Sequence, residues 1–336
     1  MPRDPVSSPD APLPGPVVGT PPRRPGSVRR TATIDMGWPG GLGTPLHLAG
    51  RSRDLLTPES GDPVVAGAAE MHATIGDNRT ITAIDALPDH PGIELLVGAQ
   101  GGSYLRSAID AALPGERESA SPLYVLLDDI AGCSLIAGFV WSRWEPDFAA
   151  RMREARGSMG IRKGKIICSG LRPGGWAQTA PDDERRSMHN VRPAGDISTP
   201  DDPWGWHALP ERPEVAMRRH RRIDVWRDGD DIVVDELFRD SAWEPDGSEI
   251  VLHEYEVAAR VDAASATLAS VTATPRVLPF PECPWVAPNV AWLAGHPVRA
   301  FRTDVQQTLT ELDCCTHLND MLRCLAEVPV LAAALP

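Results

Sequence analysis

Between residues 220 and 274 the chain alternates apolar and polar positions with a period of two. The runs 220–227, 231–238, 249–261 and 267–274 set Val, Ile and Tyr against polar residues, the pattern of strands with one face on a core. Asp228-Gly229 and the stretch from Asp262 to Ser265 supply turns between them, so the runs predict an antiparallel meander. Beyond Pro284 the period changes. Residues 284–294 read as a helix that Gly295 ends, and Pro297 opens a second helix carrying Val298, Phe301, Val305 and Leu309. A last helix places Leu318, Met321, Leu322, Leu325 and Val328 on one apolar face. A meander covered by helices on one side is an α+β layer.

The first half repeats this order. Arg29–Asp35 followed by LHLAGRSRDLLT parallels Arg219–Asp224 followed by IVVDELFRDSAW, and YVLLDDIAGC (124–133) parallels CTHLNDMLRC (315–324) without a gap. Asp129 then falls on Asp320 and Cys133 on Cys324, with partners about 190 residues apart throughout. The expectation is a tandem duplication of one small α+β unit, its halves packed as a pseudo-dimer. The divisions expected are a disordered tail over 1–28, a degenerate first half over 29–177, a Pro-rich linker over 178–216, and a second half over 217–336. Tyr124 stands where Cys315 would be, so the first half offers no equivalent candidate site.

A chain of 336 residues can bury a sizeable core, and 42% apolar with 24% charged residues is ordinary for a globular protein. The net charge of −13 argues against a nucleic-acid partner. The basic run Arg218-Arg219-His220-Arg221-Arg222 reads as a solvated strand entrance. Apolar runs such as 123–127 and 134–140 fall short of a membrane span. The N-terminus lacks the apolar core of a signal peptide, and six cysteines without a framework suit the reducing cytoplasm. Asp128-Asp129 read as helix caps or bridges before acid–base carboxylates. Trp204 and Trp206 are candidates to line an apolar pocket between the halves.

The candidate chemistry gathers in the last third: His253 on a strand, Cys283 before a helix, and Cys314, Cys315 and His317 around the start of the last helix. Thiols and imidazoles brought together can hold a soft metal or form a reactive thiolate, which a helix start favours at Cys315. The spacing is not that of a CxxC…CxxC site, and on spacing alone these cysteines read first as small buried hydrophobes, Cys133 and Cys168 especially.

The region from Arg218 to Leu331 resembles the domain-of-unknown-function family 2889, through His253 before YEVAARVD, Cys283-Pro284 and Cys315-Thr316-His317-Leu318. The whole chain looks like the longer actinobacterial members. More distantly, the order of elements looks like the NifU-like iron–sulfur scaffold fold. On that pattern Cys283 falls on the middle cysteine, Cys315 on the last, Cys314 on the histidine before it, and His253 on the ligating aspartate. The first scaffold cysteine falls near Val251 and is missing. The resemblance implies zinc or an iron–sulfur cluster held by His253, Cys283 and Cys315 with Cys314 or His317, and a small molecule or metal-delivery protein as partner. Two other readings stay open. One is a cysteine-dependent enzyme on a small hydrophobic or thioester substrate, with Cys315 as nucleophile and His317 as base. The other is a non-catalytic binding module.

Overall fold

The structure is a computed structural model that describes residues 12–145, 147–148, 167–180, 190–210 and 215–336. Its centre is one antiparallel sheet. The strands are β1 (Ser27–Gly37), β2 (Leu46–Thr57), β3 (Val64–Ile75), β4 (Ile81–Leu87), β5 (Arg192–Pro193), β6 (Ala216–Asp228), β7 (Asp231–Trp243), β8 (Glu249–Asp262) and β9 (Thr267–Val277). The order is β4-β3-β2-β1-β6-β7-β8, with β9 and the two-residue β5 both on β8. Each half thus contributes a four-stranded meander, and the halves meet where β1 pairs with β6, Ser27 opposite Trp226 and Gly37 opposite Ala216. The expected strands of the second half are present, β8 longer by one residue and the other three by three to five.

One face of the sheet carries the helices. They include α1 (Leu105–Ala112), α2 (Pro122–Ile136), α3 (Phe301–Thr308), α4 (Thr316–Cys324) and α5 (Val328–Ala333). Ser121 caps α2 by accepting the Tyr124 N–H, and Pro122 takes the first turn, where no amide is needed. Side chains of β1–β4 and α2 form one apolar cluster, and β6–β9 with α3–α5 form another. Residues Cys283–Leu293 wind as a 3-10 helix rather than an α-helix, since Pro288 inside it has no amide to donate. Gly295 ends the element at φ +86°, as expected.

The other face is covered by irregular chain, which corrects two expectations. Residues 12–26 are not a free tail. The Val17 N–H donates to Glu254 Oε1 at 2.5 Å, Arg239 donates to the Val17 carbonyl at 2.6 Å, and Arg23 pairs with Asp202 at 2.9 Å. Residues 1–11 lie outside the described residues. The described part of the expected linker, 190–210, lies across the sheet: Trp206 is buried, and His207 sits between the Thr31 and Thr33 hydroxyls at 2.9 and 2.7 Å. Composition favoured loops here, and loops they are, but their carbonyls and aromatic rings answer polar side chains that the sheet points at them.

The same covering corrects the basic run. Residues 218–222 are buried, none more than 7% exposed. Alternate side chains meet carboxylates on opposite faces: Arg218 with Asp35, Arg219 with Asp240 and Asp129, Arg221 with Asp129, and Arg222 with Asp224 and Asp235. Asp128 and Asp129, on α2, are the acidic side of this network, serving as the expected bridges between elements and not as caps. Asp128 pairs with Arg106, Arg302 and Arg323. Pro122–Trp144 is by length and composition apolar enough to span a bilayer, contrary to expectation, and 67% of its most apolar window is buried inside the protein.

Candidate functional site

A row of directly opposed positions crosses the middle of the sheet: Arg219 on β6, Asp240 on β7 and His253 on β8. Residues opposed on one face of an antiparallel sheet have their side chains within contact, so register alone assembles the row. A bulge follows at once, between Asp240 and Ser241. Arg219 donates Nε–H to Asp240 Oδ1 at 2.8 Å and an Nη2–H to Oδ2 at 3.1 Å. Its Nη1 reaches Asp129 at 3.1 Å, and Arg221 grips that same carboxylate at 2.5 and 2.7 Å. The guanidiniums of both arginines lie over the Phe238 ring. Gly132 lets α2 come this close: a Cβ there would meet Arg219 Nη1 at 2.2 Å.

His253 Nδ1 lies 3.4 Å from Asp240 Oδ2. Onto its ring drops His317, from the first turn of α4, with centroids 3.6 Å apart and planes at 22°. His317 thereby bridges two groups. Its Nε2 is 4.0 Å from Asp240 Oδ2, and its Nδ1 is 4.0 Å from Cys315 Sγ. Cys315 is the N-cap of α4, and its carbonyl accepts the Asn319 N–H at 2.8 Å.

Burial opposes charge on Cys315, yet the His317 contact, the Leu318 N–H and the Tyr255 hydroxyl outweigh it and hold the thiol below its ordinary range. The buried Tyr255 hydroxyl has no hydrogen-bond partner among the described residues, so its proton is free to turn to this sulfur. Burial and the neighbouring His253 hold His317 below the ordinary imidazole range. The free amides at the start of α4 act the same way, since they disfavour a cation. The pair thus has one proton to pass between a readily ionised thiol and an imidazole that favours its neutral form.

The other thiols behave oppositely. Burial and the nearby Cys315 push Cys283 well up. Burial, Cys168 and Cys315 push Cys314 to about 12, and burial and Cys315 push Cys168 to about 11. Segment 168–170 knits them together: the Ser169 N–H donates to the Cys314 carbonyl at 2.9 Å, its hydroxyl to the Glu282 carbonyl at 3.0 Å, and the Gly170 backbone lies against Cys283 Sγ. Cys314 itself turns its thiol to the Ile167 and Glu311 carbonyls.

Of the residues expected from sequence, His253, Cys315 and His317 are in contact and Cys283 adjoins them, while Cys314 faces away. Among the described residues, Asp240, His253 and His317 form a group whose ligand atoms all lie within 4.8 Å of one another, and no thiol joins it. Sequence reasoning missed Asp240, Tyr255, Arg219 and Cys168. Tyr255 had a signal, a hydroxyl inside the predicted strand 249–261, whereas Arg219 and Asp240 fall just beyond the predicted strands 220–227 and 231–238. Cys168 had none.

Residues 217–331, from β6 into α5, match the family described as protein of unknown function (DUF2889), so the match contains Asp240, His253, Cys283, Cys315 and His317. No curated protein and no solved structure gives a significant match.

Proposed function

We propose, on the premise that the family match encloses every member of the Cys315–His317–Asp240 row, that this region carries cysteine chemistry. Cys315 is the nucleophile, His317 its proton partner, and Asp240, clamped by Arg219, the anchor that faces the far imidazole nitrogen. The carrying observation is that His317 stands 4.0 Å from the thiol through one ring nitrogen and 4.0 Å from the carboxylate through the other. A nucleophile, a base and an orienting group in line are the parts that covalent catalysis requires. The substrate class is a small acyl compound such as a thioester. Sulfur bonds to the acyl carbon, the bond to the leaving thiol breaks, and that thiol takes up the shared proton from His317. Six free cysteines accord with the reducing cytoplasm as the proposed setting.

The experiment is the pH dependence of alkylation by iodoacetamide, located by mass spectrometry. Cys315 should react with a midpoint below the ordinary thiol value, and His317→Gln should raise that midpoint. Equal reaction of Cys168, Cys283 and Cys315 with ordinary midpoints would refute the assignment.

A metal centre, zinc or iron–sulfur, is the second reading, favoured by the convergence of Asp240, His253 and His317. The fit is poor as the rings lie. Two imidazoles radiating from one tetrahedral ion at about 2.1 Å would hold their centroids roughly 5 Å apart, whereas these stack at 3.6 Å. Asp240 also gives both oxygens to Arg219. Metal analysis of anaerobically purified protein decides: stoichiometric metal lost in His253→Ala supports this reading against the first.

A further inference from the structure

The loop-covered face of the sheet encloses a cleft of about 1020 Å³ between the strands and residues 195–210. Its floor is His207, held on Thr31 and Thr33. On one side stands Arg53 of β2, opposite Thr31, and on the other His220 of β6, opposite Thr33. Two strands and two residues apart, they are separated by roughly 12 Å.

Both ends carry unmet hydrogen-bonding capacity. His220 is 2% exposed, and its Nδ1 has no partner among the described residues. Arg53 has a buried Nε–H without a partner, donates Nη2–H to the Trp204 carbonyl, and has no carboxylate among the described residues. The lining acids do not supply one. Asp202 is taken by Arg23, Asp196 Oδ1 accepts from Ser198, and Glu249 lies on β8, four strands from Arg53. The field is positive: burial with Arg53, Arg51 and Arg218 pushes His207 down to about 3, and burial with Arg218 and Arg239 pushes His220 well down. Between these ends the walls are aromatic. Trp204 lies under the Arg53 guanidinium, and Trp206 stands edge-on to His220.

We infer that this cleft binds a small organic carboxylate with a planar apolar body. Its carboxylate meets the Arg53 guanidinium and its ring lies along the exposed Trp204. A lone arginine with an unmet donor is suited to a carboxylate, and buried unmet donors are places where a partner is missing. The cleft is on the opposite side of the sheet from Cys315, so this binding stands or falls apart from the thiol chemistry.

The test uses the full chain and 4-hydroxybenzoate, followed by titration calorimetry and by quenching of tryptophan fluorescence. Saturable binding is expected, weakened roughly tenfold or more in Arg53→Gln. Among the described residues Arg53 has no acidic partner to orphan, and Trp204→Ala, at an exposed ring, is the second variant with the same expected loss. Cys315 alkylation should be unchanged in both. Binding of 4-hydroxybenzamide as tight as the acid would overturn the role of charge. Inorganic phosphate binding equally well would overturn the aromatic body, and absence of saturable binding would overturn the site.

Discussion

Replacing Asp240 with asparagine keeps the shape of a side chain that is 0% exposed and removes its charge. Arg219 loses its two-pronged partner, and His253 loses the carboxylate at 3.4 Å. Arg219 is not wholly orphaned, because Asp129 stays at 3.1 Å and the Phe238 ring lies beneath it. The cost should therefore fall at the lower end for breaking a buried pair, about 3 kcal/mol. The converse change, Arg219→Met, leaves Asp240 with only the imidazoles of His253 at 3.4 Å and His317 at 4.0 Å and should cost about 5 kcal/mol. The double variant Arg219→Met/Asp240→Leu strands neither charge, since Arg221 keeps Asp129, and should cost about 2 kcal/mol, far below the sum of the singles. Urea unfolding of the four proteins measures this as shifts of the midpoint at constant slope. A loss under about 1 kcal/mol for Asp240→Asn, the size of a surface pair, would refute the reasoning, as would a double variant that costs the sum.

Gly132→Ala puts a better helix former into α2, worth up to about 1 kcal/mol in isolation, yet it should destabilise, because its methyl would displace Arg219; a higher urea midpoint would count against the close approach. Asp128, Asp129 and Asp240 are buried, which alone would raise them, but their arginines hold them below the usual carboxylate range, Asp128 and Asp240 well below it. Their stabilisation is complete above the unfolded aspartate value of about 4 and is lost as pH falls through the folded values; a urea midpoint that does not drop on acidification would contradict this. Deleting residues 1–26 strips Arg239, Glu254 and Asp202 of partners, and the thermal midpoint should fall by several degrees; an unchanged midpoint would show that the segment contributes nothing. If the halves are a tandem duplicate, a crystal structure should superpose β1–β4 with α2 on β6–β9 with α4, and unrelated helix placement would end that idea.

The strands of the second half were legible because alternation and turn residues act locally, and Gly295 ended its element for the same reason. The charged run at 218–222 was not. Five polar residues on a strand look solvated unless the acids that answer them are known, and these are Asp35 on β1, Asp129 on α2, Asp235 and Asp240 on β7, and Asp224 on β6 itself. His253, Cys315 and His317 were found as chemical types, but not their partner. Asp240 joins them only through the pairing of β7 with β6 and β8. Cys168 reads from sequence as a small buried hydrophobe, and its distance along the chain from the other cysteines says nothing of distance in space once segment 168–170 crosses onto Cys283 and Cys314.

The β1–β6 ladder has a consequence for how the chain can be cut. The family match begins at residue 217, inside β6, so its boundary runs along the seam where the two meanders share hydrogen bonds. A fragment holding the second meander alone would present β6 as a bare edge, with amides and carbonyls that β1 now satisfies and ten consecutive positions that are now buried. Such an edge invites another strand. Because β1 lies antiparallel to β6, a second copy of β6 turned end for end could occupy the same place. In the intact chain the first meander is thus the tethered partner that keeps this edge from finding another molecule.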